Sequence, residues 1–479
     1  MLNLPDRDYY QYVIRRFFET RTHKVSELPL PMIDMSLGKG AALPPYLWGL
    51  LWPDWEPDPA FGNPLFLTAY EDRQEDDSPR GKAAQLAGKH PRNLLKRSYY
   101  SAVTPDLYIR YYQPKIQAFF GRLLGAYTRG LPMMRQYLDS YWDLYWDLHL
   151  GLSGQEVPSF AREIGASFIA CLAILDVFDP TFEKNYMSVR EKRPQLDRWI
   201  SARLEMIEAG CPGAEETMAY YWLKNGIEHK NVVYECFHNF LALSQWGNAI
   251  YGTIELLRDG GSAEVRAIYE ATMSDPNRNQ RSAAEPFSPL DRFVMELFRM
   301  LVPNSGSIST ESATQRLGEG VVYTVHDHTQ LAQSPVHWKD PEAFDPRRYH
   351  TKATSAEPNE ERASRLGLAK CPFDHESFQV KDGRTDVALV NSGFGTVYSE
   401  VEGTACPVVD DAGYSPFGFG YRRCPGEIMT VGVMEDFLER LWREQQRGAR
   451  LVKLPLAEPE RVAVAPNTLV PDNVGLVQK

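Results

Sequence analysis

The segment that decides the fold lies near the end of the chain, where residues 415–427 read SPFGFGYRRCPGE. An apolar helical run, EIMTVGVMEDFLERLW, starts at the last residue of this segment. Cys424 gains thiolate character here, because the neighbouring arginines, the backbone N–H groups and a helix start all stabilise negative charge. The glycines let the backbone approach a flat ligand closely. Arg422 is placed to pair with a carboxylate of such a ligand.

This segment resembles the cysteine-ligand loop of the cytochrome P-450 superfamily, whose Phe-Gly-x-Gly-x-Arg-x-Cys-x-Gly pattern it matches at every specified position. The resemblance implies a mainly α fold with a small β part, built as one large domain around a buried heme b. It also implies that Cys424 is the thiolate ligand of the iron and that Arg422 pairs with a heme propionate. The other loop residues expected to contact the cofactor are Phe417, Gly418 and Gly426. The alternative is a buried structural cysteine in a glycine-rich turn.

Two more motifs follow the order of that superfamily. Glu296 and Arg299, within FVMELFRMLVP, resemble its Glu-x-x-Arg helix. The later segment HWKDPEAFDPRRY resembles the stretch in which Arg348 completes a buried network with these two residues. By itself, a Glu and an Arg three positions apart usually form a surface pair worth a few tenths of a kcal/mol. A buried network of this kind fixes geometry more than it adds stability.

A basic segment near the start of the resemblance, GKHPRNLLKRSYYSAVTP, is similar to the helix that supplies a basic residue to a heme propionate. We expect Lys96 to take this role, with Arg92 or Arg97 next. A solvated basic helix face is an equally open interpretation.

Composition along the chain predicts one heme-thiolate domain over 1–479 with internal divisions. Helical periodicity dominates the middle of the chain, whereas Pro, Gly, Asp and short β-like runs dominate its later part. The surplus length between Glu296 and Cys424 is assigned to an insertion. The predicted divisions are an irregular or β N-terminal part at 1–85, a helical body at 86–302, a mixed β and loop part at 303–479, and the insertion at 351–412.

The helical body contains a segment at about 231–257 that is apolar on nearly every face and predicts a long buried central helix. The superfamily usually places an acid followed by threonine in this helix, and here Ser244 and Gln245 stand in their place. One helical face, predicted to point at the heme, carries Phe240, Ser244, Gly247, Asn248 and Tyr251. The candidate catalytic residues are therefore Ser244, Gln245 and Asn248. The segment also faintly resembles the central helix of allene oxide synthases, and hydrogen-bonded core residues are the competing interpretation.

Charge and cysteine usage exclude several classes of protein. The formal net charge of -11 argues against nucleic acid or an anionic membrane as the main partner. Neither a signal peptide nor an apolar stretch of about 20 residues occurs, so we expect a cytoplasmic protein without a membrane span. The six cysteines are scattered and form no Cys-x-x-Cys pair, so neither a disulfide scaffold nor a zinc site is indicated.

The resemblance implies a monooxygenase that activates dioxygen to oxidise an apolar or aromatic small molecule. Because the chain has no Gly-x-Gly-x-x-Gly fingerprint, electrons are expected from a separate ferredoxin or reductase docking near Arg422 and Arg423. The missing acid and threonine favour an alternative, a reductase-independent hydroperoxide isomerase, dehydratase or peroxygenase. A non-catalytic heme-binding protein is the third hypothesis.

Overall fold

The computed structural model describes residues 101–125, 130–174, 180–280, 288–303, 306–310, 323–327, 332–333, 340–349, 398–401, 404–407, 416, 426–465 and 468–478. The chain groups into two compact units. The first, which we call the helical unit, comprises Ser101–Pro303, Phe344–His350 and Ile428–Lys479. The second comprises Met1–Tyr100, Asn304–Ala343 and Thr351–Glu427.

The helical unit is built almost entirely of helices, numbered here over the described residues. Helix α1 runs over 105–125 and contains a π-helical turn at Tyr108–Tyr112. The others are α2 (Met133–Leu150), α3 (Ser159–Ile174), α4 (Pro180–Glu208), α5 (Met218–Lys224), α6 (His229–Leu257), α7 (Ala263–Ser274), α8 (Pro289–Leu301) and α9 (Glu427–Gln446).

Short antiparallel strand pairs complete the described structure. In the second unit, β1 (Gly306–Thr310) pairs with β2 (Tyr323–Asp327), and β3 (Tyr398–Val401) pairs with β4 (Thr404–Pro407). In the helical unit, β5 (Ala449–Lys453) pairs with β8 (Val474–Gln478), and β6 (Arg461–Ala465) pairs with β7 (Thr468–Pro471). A 3-10 turn covers Pro346–Tyr349. The mainly helical fold with a small β part is confirmed.

Local sequence signals set the ends of the helices. Ser288 and Asp291 form a capping box at the start of α8: the Ser288 hydroxyl accepts from the Asp291 N–H at 3.0 Å, and the Asp291 carboxylate accepts from the Ser288 N–H at 2.7 Å. Helix α2 is capped from a distant part of the chain. Asp472, which follows β7, accepts from the N–H groups of Met134 and Arg135 at 2.9 and 2.7 Å.

Helix α6 lies where the sequence predicts a central helix at about 231–257, and neighbouring elements pack tightly on it. Phe240 is fully buried against rings of α2 and α3. At Gly247, a Cβ would lie 2.8 Å from the Val464 carbonyl oxygen of β6, so only glycine permits this approach. At Gly252, a Cβ would lie 2.7 Å from Leu301 of α8. In the described ranges, no helix combines the length and apolar character needed to cross a membrane.

Several sequence predictions fall mainly on residues outside the described ranges. They concern the irregular part at 1–85, most of the insertion at 351–412 and most of the loop at 415–427. The prediction of one domain over 1–479 stays a prediction.

A buried histidine joins α2 to α6. His149 is fully buried, stacks on Tyr145 at 4.1 Å between ring centroids, and its Nδ1 lies 2.8 Å from the Tyr145 carbonyl oxygen. Its Nε2 lies 3.1 Å from the amide nitrogen of Asn239 on α6. Both neighbours are satisfied when Nδ1 carries the proton and Nε2 accepts, which is the neutral ring. Burial lowers the pKa of His149 from 6.5 to about 4, although the Tyr145 carbonyl and Glu235 oppose the shift.

We predict that His149 makes the protein less stable at acid pH. The unfolded chain binds the proton more readily, so the free energy of unfolding should fall as pH decreases from 6.5 towards about 4, by at most about 3 kcal/mol. Urea unfolding at several pH values should show a smaller acid loss in His149→Gln than in the wild type. The half-exposed His229, paired with Glu208, offers the control His229→Gln. An acid limb equally steep in wild type and His149→Gln would contradict this account.

Candidate functional site

The proposed cysteine loop is described only at its edges. Cys424, Arg422, Phe417 and Gly418 lie outside the described residues, as do Lys96 and Arg92. Gly426 is described and forms the turn that leads into α9. The roles assigned to these residues therefore stay predictions.

Helix α9 begins at Glu427, shortly after Cys424 in the sequence. The start of this helix agrees with the pattern from which thiolate character was inferred, because the positive end of a helix dipole favours an anion close to its first turn. Helix α9 is bonded to the central helix: the Trp246 indole N–H donates to the Thr430 hydroxyl at 3.0 Å. The chain after the cysteine is thus tied to α6.

The residues predicted to share one face of the central helix contact different neighbours in the structure. Phe240 packs against rings of α2 and α3, and Gly247 packs against β6. Their side of the helix is about 200° around the axis from Gln245 at 100° per residue. That this face points at a heme stays a prediction. Asn248 lies elsewhere and donates from Nδ2 to the Pro303 carbonyl oxygen at 3.3 Å. Ser244 lies on α6, and its side chain is outside the described ones.

Gln245 presents a buried hydrogen-bond acceptor. Its Oε1 atom is buried and finds no hydrogen-bond partner within the described part of the chain. Leaving a buried acceptor unsatisfied costs about 1–3 kcal/mol, so such atoms usually serve a water or a ligand. Among the three candidate catalytic residues, Gln245 therefore has the clearest physical reason to bind something.

The structure brings Glu296, Arg299 and Arg348 together. Glu296 and Arg299, both on α8, are almost completely buried and joined by two hydrogen bonds, at 2.9 Å from Nε and 2.7 Å from a terminal nitrogen. Arg348 donates from Nε to the same carboxylate at 3.1 Å. The Asp345 backbone N–H adds a fourth donor at 2.9 Å. One buried carboxylate is therefore held by two guanidinium groups and one amide, which compensates for its desolvation.

The sequence analysis did not predict two contacts of the site: the hydrogen bond from the Asp345 N–H to Glu296, and the bond between Trp246 and Thr430. The Asp345 N–H is a backbone donor and leaves no trace in residue type, whereas Arg348 was recognisable from the segment around it. The bond between Trp246 and Thr430 joins residues on separate helices. Only the conflict of a polar indole N–H within an apolar helix could have signalled that Trp246 needs a partner.

We predict that Glu296→Gln lowers the free energy of unfolding by about 3–5 kcal/mol, because it leaves buried guanidinium charge uncompensated. Urea unfolding followed by circular dichroism measures the change. Arg347→Ala is a matched control: Arg347 is exposed, its partner among the described residues is Asp345, and its loss should leave stability almost unchanged. Equal losses in the two variants would show that the buried carboxylate has no special importance.

We compared the chain and its fold with known proteins. No family model matches the chain, and no curated protein matches it. Solved structures match along its whole length. The retinoic acid-bound cyanobacterial CYP120A1 gives a TM-score of 0.52 at 15% identity, covering 99% of this chain and 88% of that one.

Two further structures give the same result. The heme domain of a mutant of cytochrome P-450DA gives a TM-score of 0.53 at 12% identity, with 98% of this chain and 86% of that one covered. A zebra fish cytochrome P-450 determined with progesterone gives 0.52 at 12% identity, with 100% of both chains covered. These matches over nearly the full length show that the chain has the cytochrome P-450 fold.

Proposed function

We propose that this protein is a heme-thiolate oxidoreductase, a monooxygenase that uses dioxygen to oxidise an apolar or aromatic small molecule. The observation that carries the proposal is the complete Phe-Gly-x-Gly-x-Arg-x-Cys-x-Gly segment directly before α9 in a chain with the cytochrome P-450 fold. A fold alone hosts many functions, so the cysteine segment is what makes the proposal specific.

The described residues fit a heme in two respects. Helix α9 starts just after Cys424, which suits a thiolate ligand, and Gln245 offers a buried acceptor with no partner in the described ranges. In the proposal, Cys424 would ligate the iron and Arg422 would pair with a propionate, with Lys96 or Arg92 as a second basic contact. Phe417, Gly418 and Gly426 would contact the macrocycle. Heme with a thiolate ligand supplies the activation of dioxygen or of a peroxide.

The central helix determines how protons reach the reacting oxygen. Gln245 can hold a water or a substrate hydroxyl through its amide, but an amide does not titrate near neutral pH and cannot supply its own proton. Ser244 is subject to the same restriction. A proton must therefore arrive through water or from the substrate, with Gln245 as a positioning residue.

Electrons for a monooxygenase must come from outside the chain. The sequence has no flavin or nicotinamide fingerprint, so we infer a separate ferredoxin or reductase as donor. Basic residues beside the cysteine, Arg422 and Arg423, suit an acidic protein of this kind. We place the reaction in the cytoplasm, as the sequence suggests.

A second function is favoured by one specific observation. The central helix has Ser244 and Gln245 where an acid and a threonine are usual in oxygen-activating relatives, which suits a hydroperoxide isomerase, dehydratase or peroxygenase. These reactions start from an existing O–O bond and need no external electrons.

We predict that the reduced protein with carbon monoxide shows the absorption band of a thiolate-ligated heme, and that Cys424→Ser abolishes this band, because serine is a far weaker ligand than a thiolate. Cys211→Ser, at a half-exposed free cysteine of the helical unit, is the control and should keep the band. Retention of the band in Cys424→Ser would overturn the proposal. Adding a hydroperoxide without reductant to the same sample separates the two functions, since rapid consumption favours the second.

We predict that Gln245→Ala changes the coupling of reductant or peroxide consumption to product and leaves the heme content unchanged. Its matched control is Gln445→Ala on α9, because Gln445 also has a buried Oε1 without a partner among the described residues. Product yield per oxidant consumed and the heme absorbance give the two readouts. Identical coupling in the two variants would remove Gln245 from the reaction.

A further inference from the structure

Helix α9 is attached to α1 by a buried carboxylate that the proposed reaction does not use. Asp436 of α9 is 5% exposed, and three side chains of α1 donate hydrogen bonds to it. The Tyr108 hydroxyl donates to one carboxylate oxygen at 2.5 Å. The amides of Gln113 and Gln117 donate to the other oxygen at 2.9 and 2.8 Å. We call these four residues the Asp436 cluster.

The backbones of both helices are adapted to this contact. Tyr108 is the first residue of the π-helical turn of α1, and such turns occur frequently at functional sites. Its ring lies against α9 at Gly432, where a Cβ would lie 2.5 Å from the ring. Gly432 and Asp436 are four positions apart and therefore share one face of α9. The ring of Tyr108 thus packs on the helix at one turn while its hydroxyl bonds to the next.

Asp436 differs from two other buried carboxylates of the helical unit in the kind of donor that surrounds it. Glu296 and Glu444 are each paired with two guanidinium groups. The donors to Asp436 are a phenol and two amides, and no basic side chain among the described residues forms an ion pair with it. A buried charge without an opposite charge keeps much of its desolvation cost, so ionisation of Asp436 works against the closed contact.

The titration of the cluster follows from its surroundings. Burial raises the pKa of Asp436, and the carboxylate of Glu439, three positions further along α9, adds to the rise, whereas the three donors oppose it. Glu439 itself is paired with Arg278, which follows α7, at 2.7 Å. Burial and Asp436 also raise the pKa of Tyr108, so its hydroxyl stays protonated and remains a donor.

The other charged groups at this contact give Asp436 no counter-charge of its own. Arg440 of α9 lies against Gly121 of α1, where a Cβ would lie 3.8 Å from the guanidinium carbon. Arg440 is paired with Glu444 at 2.6 Å. Glu435 is acidic and raises the pKa of Tyr108 further. The guanidinium groups on this side of α9 therefore already have acidic partners.

Linkage fixes the sign of the effect. Opening of the contact between α1 and α9 returns Asp436 to water and to the ordinary pKa of an aspartate. The closed contact therefore binds the proton more readily than the open one does. Protonation of Asp436 favours the closed contact, and the contact weakens as pH rises from the ordinary value through the raised one. This dependence is opposite to that of His149, whose lowered pKa makes the protein less stable at acid pH.

The two joined helices follow the two segments that are expected to bind the cofactor. Helix α9 begins three positions after Cys424 in the sequence. Helix α1 begins eight positions after Arg97, at the end of the basic segment that contains Lys96. Because the chain is continuous, attachment of α1 to α9 restrains both segments at the residues that follow them.

We propose that Asp436 is a positioning residue for the heme, and that its ionisation weakens the attachment of α1 to α9, and with it the retention of heme, as pH rises. The inference rests on the proposed function, because the heme belongs to that proposal. The proton passes from the Asp436 carboxyl group to water, and the O–H bond of that carboxyl group is the covalent bond that breaks. The ionised carboxylate then stays in the cluster at a cost that the protonated group does not have.

We predict that the amide hydrogens of α1 in the holoprotein lose protection, relative to intrinsic exchange at each pH, as pH rises from about 5 to about 8. In Asp436→Asn this loss should disappear, which leaves α1 several-fold better protected than in the wild type at the upper end of the range. Asparagine keeps an oxygen for Gln113 and Gln117, and its amide group can donate to the Tyr108 oxygen. Hydrogen exchange followed by mass spectrometry measures the protection.

The matched control is Asp147→Asn, because Asp147 attaches the same helix to α2 through an ion pair with Lys115 at 2.8 Å. This variant should lower the protection of α1 at every pH and keep the pH dependence of the wild type. If Asp436 only held the structure together, Asp436→Asn would also lower protection at every pH, and that result would overturn the inference. An unchanged pH dependence in Asp436→Asn would overturn it as well.

Tyr108→Phe tests the same account without altering the carboxyl group. The missing hydroxyl is a donor that stabilises the ionised form more than the protonated form. The protection of α1 should therefore fall more steeply with pH than in the wild type. A dependence equal to or weaker than that of the wild type would contradict the role of Asp436.

Transfer of heme to apomyoglobin, with the carbon monoxide spectrum of the same samples, separates two failures. At the upper end of the pH range, Asp436→Asn should lose heme several-fold more slowly than the wild type. A thiolate band together with equal heme loss in the two proteins overturns the positioning role alone. Absence of the band overturns the proposed function and the retention of heme with it, while the protection of α1 still decides whether Asp436 controls the attachment.

Discussion

The buried carboxylate of Glu296 sets the path of the chain through the helical unit. A charge taken fully out of water must be compensated by donors of fixed geometry, and here Arg299, Arg348 and the Asp345 amide supply them. The consequence is visible in how the chain is partitioned. Residues 344–350 belong to the helical unit, whereas the chain immediately before and after them belongs to the other unit. Packing of Phe344 on Phe293, at 5.1 Å between centroids, reinforces the same attachment.

The second constraint is the close packing around α6. Gly247 allows the backbone of β6 to approach the helix to a distance that a side chain would forbid, and at Gly252 a Cβ would press on the Leu301 side chain of α8. Trp246 adds a directional bond to α9, the helix that follows Cys424. Gln245 and Asn248 carry amide side chains on the same helix, close to these contacts. Asn248 is satisfied by a backbone carbonyl, which leaves the Gln245 amide oxygen as the acceptor without a partner in the described residues.

Several buried polar groups near the central helix have no hydrogen-bond partner among the described residues. A stable core normally pairs its buried hydroxyl and indole groups, and Tyr145 does so through the Cys236 carbonyl oxygen at 2.6 Å. Tyr137, Tyr141, Trp146 and Gln245 are exceptions within the described chain. Gln245 lies on the central helix, and Tyr137 and Trp146 contact it. Proteins tolerate such costs mainly where function requires them.

The sequence by itself determined the fold, the bounds of α6 to within two residues and the three side chains of the Glu296 network. Each of these depends on a local pattern. The patterns are a loop motif, an uninterrupted apolar helix and charged residues in a fixed order. Only the tertiary structure decided which elements pack on each side of α6. Phe240 and Gly247 share a helical face with Asn248 in projection, but the three residues contact different neighbours. Trp199 of α4 likewise contacts Trp146 of α2, and no periodicity records this contact between residues 53 positions apart. Periodicity tells which residues share a face, and packing alone decides what that face meets.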